Sequence, residues 1–210
     1  PAAVPVAEGR RLLVLSVGMP SSGVPSDWAA ASDSPGVAFV PGASEEAADR
    51  IANTIDAHRE PGDVVVASIH WGSNWGYGIS PQQTRFAHAL VEAGVDVVHG
   101  HSSHHPRPIE FHRGSLVLYG CGDFINDYEG ISGREEYRDD LRLLFLAAVP
   151  ARPDESVGLR IVPFQARRMR LENASQEDRE WLRDTLTRVS GPFGTSVTLD
   201  AGGDLVAEPA

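Results

Sequence analysis

Apolar runs alternate with amphipathic segments along the first half of the chain. Three of these runs predict buried strands, at residues 11–17, 64–69 and 95–99. Between them, Ser44 begins a predicted helix that runs to about residue 59. Ser80 begins a second one, with Pro81 in its first turn and Gly94 at its end. Two strand-helix-strand steps of this kind indicate right-handed parallel crossovers.

The pattern changes after residue 108. Residues 109–112 and 115–119 predict a hairpin around Arg113-Gly114. Ser175 begins a further helix as its N-cap, with an acidic residue at the third helical position. The other predicted strands are residues 141–149 and 159–165 and a closing hairpin of 195–199 and 204–207. The Ser-, Pro- and Gly-rich residues 19–36 predict a long loop. Together these elements predict an α/β fold.

Composition narrows the class of protein. The 210 residues suit a single domain, and a net charge of −11 opposes binding to nucleic acid. Cys121 has no partner for a disulfide, which favours a reducing, cytoplasmic location. No apolar stretch approaches the roughly 20 residues that a membrane-spanning helix needs.

Three clusters of polar and aromatic residues follow directly after apolar runs. They are His70-Trp71-Gly72, the segment at residues 100–105 (GHSSHH) and the segment at residues 119–124 (YGCGDF). The ends of strands in open α/β sheets are where ligands bind, and imidazole is the side chain that transition metals most often recruit. The clusters therefore predict a metal-dependent site.

The histidines differ in what their positions indicate. His101 and His104 share a tight turn, where two imidazoles can converge on one ion, and we expect His99 on the preceding strand to point elsewhere. His70 is either a ligand or a structural histidine. Three other histidines, His58, His88 and His112, lie on predicted helix faces or in the hairpin and are interpreted as structural.

Other candidates surround these histidines. Asp123 follows a predicted strand and either belongs to the site or only forms a turn. Trp71, Trp75 and Tyr77 either form the wall of a substrate pocket or pack over a loop. We predict His70, His101 and His104 as metal ligands, and these three together with Asp123 as catalytic residues.

The three motifs, in this order and at similar intervals, resemble the CapA family of poly-γ-glutamate capsule synthesis proteins. The resemblance covers about residues 10–190 of a single CapA-like domain spanning 1–210. It implies the two-sheet α/β sandwich of the calcineurin-like metallophosphoesterases, with a divalent metal such as Mn, Zn or Fe. His70 matches the histidine of the family's His-Trp-Gly motif, and His101 and His104 match its paired histidines. Asp123 stands where many members have Asn.

Members of that family usually begin with motifs that this chain does not show: a strand ending in Gly-Asp, then Asn-Leu-Glu and Asn-His segments. The chain therefore resembles the C-terminal part of the family domain. Either it is a fragment, or a second chain supplies the other half, or the metal site is incomplete. A half-sandwich would leave sheet edges exposed, so we expect a second chain or self-association.

The expected function is metal-assisted hydrolysis or transfer at a phosphoryl or acyl centre, on a small-molecule or poly-glutamyl substrate. The alternative is a non-catalytic polymer-handling subunit with an incomplete metal site. An amide-forming role beside a ligase is a third hypothesis, although the sequence contains no GxxxxGK loop for ATP.

Overall fold

A mixed six-stranded sheet forms the centre of the molecule. The computed structural model describes residues 1–6, 9–128, 130–151 and 155–210. The strands of this sheet are β1 (Ala2–Pro5), β2 (Arg11–Gly18), β3 (Val64–His70), β4 (Val97–His101), β5 (Ile109–His112) and β6 (Ser115–Leu118). Their spatial order is β1-β2-β3-β4-β6-β5. The four inner strands are parallel, and the edge strands β1 and β5 pair antiparallel to their neighbours.

A second sheet is antiparallel throughout. Its strands are β7 (Leu141–Ala148), β8 (Gly158–Arg167), β9 (Arg170–Asn173), β10 (Thr195–Leu199) and β11 (Leu205–Pro209). The order is β10-β11-β8-β7, and β9 pairs with the far end of β8. Antiparallel pairs such as β8 with β9 and β10 with β11 can be joined by short hairpins rather than by crossover helices.

Three helices complete the fold: α1 (Glu45–Asp56), α2 (Pro81–Glu92) and α3 (Gln176–Ser190). Each begins at a serine whose hydroxyl accepts a backbone N–H of the first turn, at Ser44, Ser80 and Ser175. At Ser80 and Ser175 the third helical residue, Gln83 or Asp178, closes a capping box. These caps satisfy N–H groups that the helix itself leaves without partners.

Two apolar clusters lie on opposite faces of the mixed sheet. Helices α1 and α2 cover one face, where the buried residues include Leu13, Val65, Ile69, Ile51, Ile55, Phe86 and Leu90. The antiparallel sheet and α3 cover the other, with Leu116, Leu118, Leu143, Ile161, Leu186 and Leu205. The predicted two-sheet α/β sandwich is confirmed.

The structure differs from the sequence prediction at the weakly patterned elements. Strands β1 and β9 were not predicted; β1 is exposed along its length, and β9 is mostly polar. Strand β4 begins two residues later than predicted: the Val95 N–H donates to the carbonyl of Leu90 in the last turn of α2 at 3.1 Å, and the Asp96 carboxylate accepts the N–H of Val65 at 2.7 Å. Among the described residues, no helix has the length and apolar character needed to cross a membrane.

Candidate functional site at the carboxyl ends of the parallel strands

His70 and His101 lie side by side at the ends of two neighbouring strands. Each is the last residue of its strand, β3 or β4, and the parallel register pairs them directly. Their Nδ1 atoms are 3.1 Å apart, and their ring centroids are 5.0 Å apart. At that distance one ring nitrogen can donate to the other, or both lone pairs can face one cation.

Both imidazoles are held in the neutral form. Burial lowers the pKa of His70 below its usual value. Burial, with smaller contributions from His99 and His70, lowers the pKa of His101 to about 4. Metal ions bind the neutral ring, so both side chains are in a state suited to ligation near neutral pH.

His99 lies beside His101, so the expectation that it points elsewhere is wrong. The two ring centroids are 5.3 Å apart, and the Nδ1 atom of His99 is 3.0 Å from the hydroxyl of Ser68 on β3. Side chains alternate between faces along a strand, so residues two apart share a face. His99 therefore belongs to the same row of imidazoles.

The turn at residues 100–105 is fixed by hydrogen bonds to the loop after β3. Ser102 has a φ of 139°, an unfavourable value for a residue other than glycine. Its hydroxyl donates to the carbonyl of Gly72 at 3.1 Å, and the His104 N–H donates to the carbonyl of Asn74 at 3.1 Å. Because strained backbone persists only where its surroundings hold it, the turn presents His104 in one defined position.

Asp123 holds His104 in place. Its Oδ2 atom lies 3.0 Å from His104 Nδ1, and it also accepts hydrogen bonds from Asn126 Nδ2 at 3.1 Å and the Tyr128 hydroxyl at 2.8 Å. The buried guanidinium of Arg142 forms an ion pair with the same oxygen at 3.0 Å. A carboxylate facing Nδ1 favours the tautomer that protonates Nδ1 and leaves the Nε2 lone pair available.

The pKa of Asp123 reflects these contacts. Burial alone would raise it, but the hydrogen bonds from His104 and Tyr128 and the contact with Arg142 outweigh burial and lower the pKa below its usual value. The carboxylate is therefore ionised at neutral pH. These contacts place Asp123 beside His104, one of the predicted site residues.

The three histidines predicted as ligands do not all meet. His70 pairs with His101, whereas His104 faces Asp123 and the ring of Trp75, 5.3 Å away between centroids. In the part of the chain that the structure describes, no group of three potential ligand atoms within 4.8 Å includes any of the three. Their joint ligation of one metal remains a prediction.

The aromatic residues separate into two roles. Trp71 is only 1 % exposed, donates its indole N–H to the carbonyl of Tyr119 at 3.2 Å and stacks on that ring, so it belongs to the core. Trp75 and Tyr77 are half-buried and pack around the buried imidazole of His105. A substrate-contacting role is thus contradicted for Trp71, and for Trp75 and Tyr77 it stays a prediction.

A groove of about 310 Å³ adjoins Asn126 and Tyr128, which contact Asp123. Its other lining is mainly apolar and includes Phe124, Ile125 and Leu171. A larger cavity of about 520 Å³ lies elsewhere, beside Arg10, Asp63 and Asp96, close to the amino ends of β2, β3 and β4. The smaller groove therefore borders residues that contact Asp123, whereas the larger cavity lies at the opposite end of the parallel strands.

Tyr128, Asn126 and Arg142 were not among the residues predicted from the sequence. The first two follow Asp123 within five residues, and the run INDY after Asp123 could have indicated a local hydrogen-bond network. Arg142 interrupts an apolar strand, and a charged residue in such a run indicates a buried partner. The acidic partner itself could not be identified without the fold.

The chain belongs to the family described as bacterial capsule synthesis protein PGA_cap, which matches residues 1–128. The predicted CapA resemblance is thereby confirmed. The chain is 49 % identical, over all 210 residues, to a probable polyglutamine synthesis accessory protein of Mycobacterium tuberculosis (strain H37Rv), and it spans 55 % of that protein.

Two further relatives match shorter segments. The PGA biosynthesis protein CapA of Bacillus subtilis is 33 % identical over 73 residues, which is 35 % of this chain and 19 % of that protein. The capsule biosynthesis protein CapA of Bacillus anthracis is 31 % identical over 78 residues, or 37 % of this chain and 19 % of that protein. The chain thus spans about half the length of the Mycobacterium tuberculosis relative, and the matched segments cover 19 % of each of the other two.

Proposed function

We propose that the chain acts in poly-γ-glutamate synthesis through metal-dependent hydrolysis or transfer at a phosphoryl or acyl centre. The role in polymer synthesis is supported by the similarity to a probable polyglutamine synthesis accessory protein and to a PGA biosynthesis protein. The observation that carries the chemistry is the approach of His70 Nδ1 to His101 Nδ1, 3.1 Å apart at the ends of two parallel strands. Strand ends of this kind are where α/β folds bind ligands.

The side chains at the strand ends supply some of the ligands that a divalent transition metal needs. Two neutral imidazoles suit zinc, iron or manganese, and His104 is oriented by a carboxylate in the way that ligating histidines usually are. His70 and His101 would hold the metal. When bound, it would polarise the phosphoryl or acyl oxygen and make water more acidic.

The chain's own residues would then orient the substrate and move protons. His104, with Nδ1 facing Asp123, would give or take a proton at Nε2. Arg142 and Tyr128 keep Asp123 ionised and therefore keep that tautomer. Trp75 and Tyr77 would border the substrate, which is a small molecule or a poly-glutamyl chain.

A second candidate function is a non-catalytic polymer-handling subunit. The observation that favours it is the absence of any carboxylate grouped with His70 and His101 among the residues described. Hydrolytic two-metal sites need carboxylates to bridge and balance the ions. In this case the fold would bind polymer and leave the chemistry to another chain.

The double variant His70→Ala/His101→Ala tests the proposal. With an aryl phosphate and a γ-glutamyl anilide as substrates and Mn²⁺ or Zn²⁺ present, turnover should fall by about 10²-fold or more, because removal of transition-state charge stabilisation has that effect. Metal bound per chain, from elemental analysis, should fall by at least one equivalent.

The matched control is His58→Ala, which removes an exposed histidine at the end of α1. Unchanged turnover and metal content in the double variant would contradict the proposal. Wild-type protein that binds poly-γ-glutamate but converts neither substrate would favour the polymer-handling alternative.

A further inference from the structure

A second group of potential metal ligands lies between α2 and β5. His88 and Glu92 are four residues apart on α2, so they share one face of the helix. Glu110 and His112 are two residues apart on β5, so they share one face of the strand. Ile109 lies on the other face and packs in the apolar cluster against the antiparallel sheet. We call these four residues the helix-strand cluster.

Their atoms are close together. His88 Nε2 is 2.8 Å from Glu110 Oε1, and His112 Nε2 is 3.8 Å from Glu92 Oε1. The ligand atoms of His88, Glu110 and His112 all lie within 4.8 Å of one another, the one such group among the residues that the structure describes. A tetrahedral zinc ion would hold neighbouring ligand atoms about 3.3 Å apart, so small side-chain rotations suffice.

One feature of the cluster is unexplained by the protein alone. The Nε2 atom of His112 is buried and has no hydrogen-bond partner. The rings of His88 and His112 stack at 3.7 Å with only 4° between their planes. A buried polar atom without a partner is rare in folded proteins. A bound cation would account for the unpartnered nitrogen, and the two rings would tilt out of their stack so that both in-plane lone pairs face the ion.

We propose that His88, Glu110 and His112 bind one divalent transition metal of the zinc type, with Glu92 as the fourth ligand. Two imidazoles with carboxylates are a common donor set for zinc. The Tyr119 hydroxyl donates to Glu110 Oε2 at 2.6 Å, which leaves Oε1 to the metal. Glu92 is half-exposed and also pairs with Arg113 at 3.3 Å, so an ion can enter from that side.

The bound metal would tie α2 to the edge strand β5. Both elements are regular, so the site is rigid and its role is structural: an ion that binds the folded state alone stabilises it by mass action. This proposal goes beyond the proposed function and uses none of its residues. The two therefore stand or fall separately.

The test compares two double variants of the metal-free protein, titrated with Zn²⁺ and, for spectroscopy, with Co²⁺. In His70→Ala/His101→Ala, one equivalent of Zn²⁺ should still bind, the melting temperature should rise with Zn²⁺, and Co²⁺ should give visible absorption. His88→Gln/His112→Gln should bind one equivalent fewer than the wild type, and combined with His70→Ala/His101→Ala it should abolish that equivalent, the rise in melting temperature and the absorption. Glutamine keeps hydrogen-bonding capacity but is a poor zinc ligand.

The control His58→Gln removes an exposed histidine at the end of α1 and should bind as the wild type does. If His88→Gln/His112→Gln does not fold, the single variant Glu92→Gln replaces it, with an expected weakening of Zn²⁺ binding of about tenfold or more. Absence of Zn²⁺ binding in His70→Ala/His101→Ala, or equal binding in the variants of the helix-strand cluster, would overturn the proposal.

Discussion

Two groups of histidines on the same sheet are built in different ways. The strand-end cluster, made of His70, His101, His104 and Asp123, lies where strands stop and loops begin. The helix-strand cluster projects from the regular faces of α2 and β5. Loops allow substrate access and adjustment, whereas regular elements hold ligands rigidly. The comparison therefore separates a candidate reaction site from a candidate structural metal site.

One pair of stacked rings connects the two clusters. Trp71 follows His70 directly and stacks on Tyr119 with 12° between the ring planes. Tyr119 in turn donates its hydroxyl hydrogen to Glu110 of the helix-strand cluster. A substitution at Trp71 or Tyr119 should therefore affect both clusters, whereas a substitution elsewhere in one cluster should affect that cluster alone.

The largest effect is expected for Trp71→Ala. Removal of a fully buried tryptophan should lower the free energy of unfolding by about 3–5 kcal/mol, because it leaves a cavity and the Tyr119 carbonyl without its donor. Zn²⁺ binding to both clusters should weaken together. The measurements are urea unfolding and metal titration.

Trp28→Ala is the matched control, since that ring is 59 % exposed and its loss should change the unfolding free energy by less than about 0.5 kcal/mol. If Trp71→Ala altered metal binding at one cluster alone, the stacked pair would not be a shared support.

Next in size is Asp123→Asn, which should lower turnover by about 10²-fold if Asp123 orients the proton-transferring His104. The same change leaves the buried Arg142 without its ion-pair partner, so the melting temperature should also fall. Kinetics on both substrates and thermal unfolding measure the two effects.

The double variant Asp123→Asn/Arg142→Met separates the effect on turnover from the effect on stability. It removes the unpaired charge and should recover much of the stability without recovering turnover. Recovery of turnover along with stability would assign Asp123 a structural role, and the turn-forming interpretation of its sequence position would then be correct.

Gly100→Ala should lower the free energy of unfolding by about 1–3 kcal/mol, because overpacking has that cost. A Cβ at residue 100 would lie 2.5 Å from the indole nitrogen of Trp71 and 2.6 Å from the carbonyls of Leu118 and Tyr119. Chemical unfolding gives the value. In the control Gly191→Ala, the new methyl meets nothing within 4 Å, and stability should be retained.

The smallest effect concerns pH. Burial, with the nearby charges of Arg107 and His104, lowers the pKa of His105 to about 4 despite the opposing Pro106 carbonyl. Between pH 6.5 and 4 the unfolded chain therefore binds a proton that the folded chain excludes, and the free energy of unfolding falls as the pH falls. His105→Phe should make that decline shallower.

Urea unfolding at several pH values between 7.5 and 4.5 measures the slope, with His58→Gln as the exposed-histidine control. His101, whose pKa is also about 4, should retain its own part of the decline in His105→Phe. An identical slope in wild type and His105→Phe would mean that burial of His105 does not contribute.

The sequence predicted the elements with strong patterns. Strand β3 and helix α2 were found from an apolar run and from Ser80-Pro81, because these signals are local. Strand β9 was not predicted, since a polar edge strand forms only when β8 offers it a partner. The sequence predicted that His70, His101 and His104 converge; the parallel register of β3 and β4 pairs His70 with His101, and the joint site stays a prediction.

By itself the sequence determined the α/β class, the family and the strand-end position of the motif residues, because these follow from hydrophobic periodicity and from motifs read along the chain. Only the tertiary structure decided that Arg142 neutralises Asp123, that Trp71 is core and that His88 meets His112. Such contacts join residues separated by about 20 positions or more. They depend on how sheets and helices pack, which no local pattern specifies.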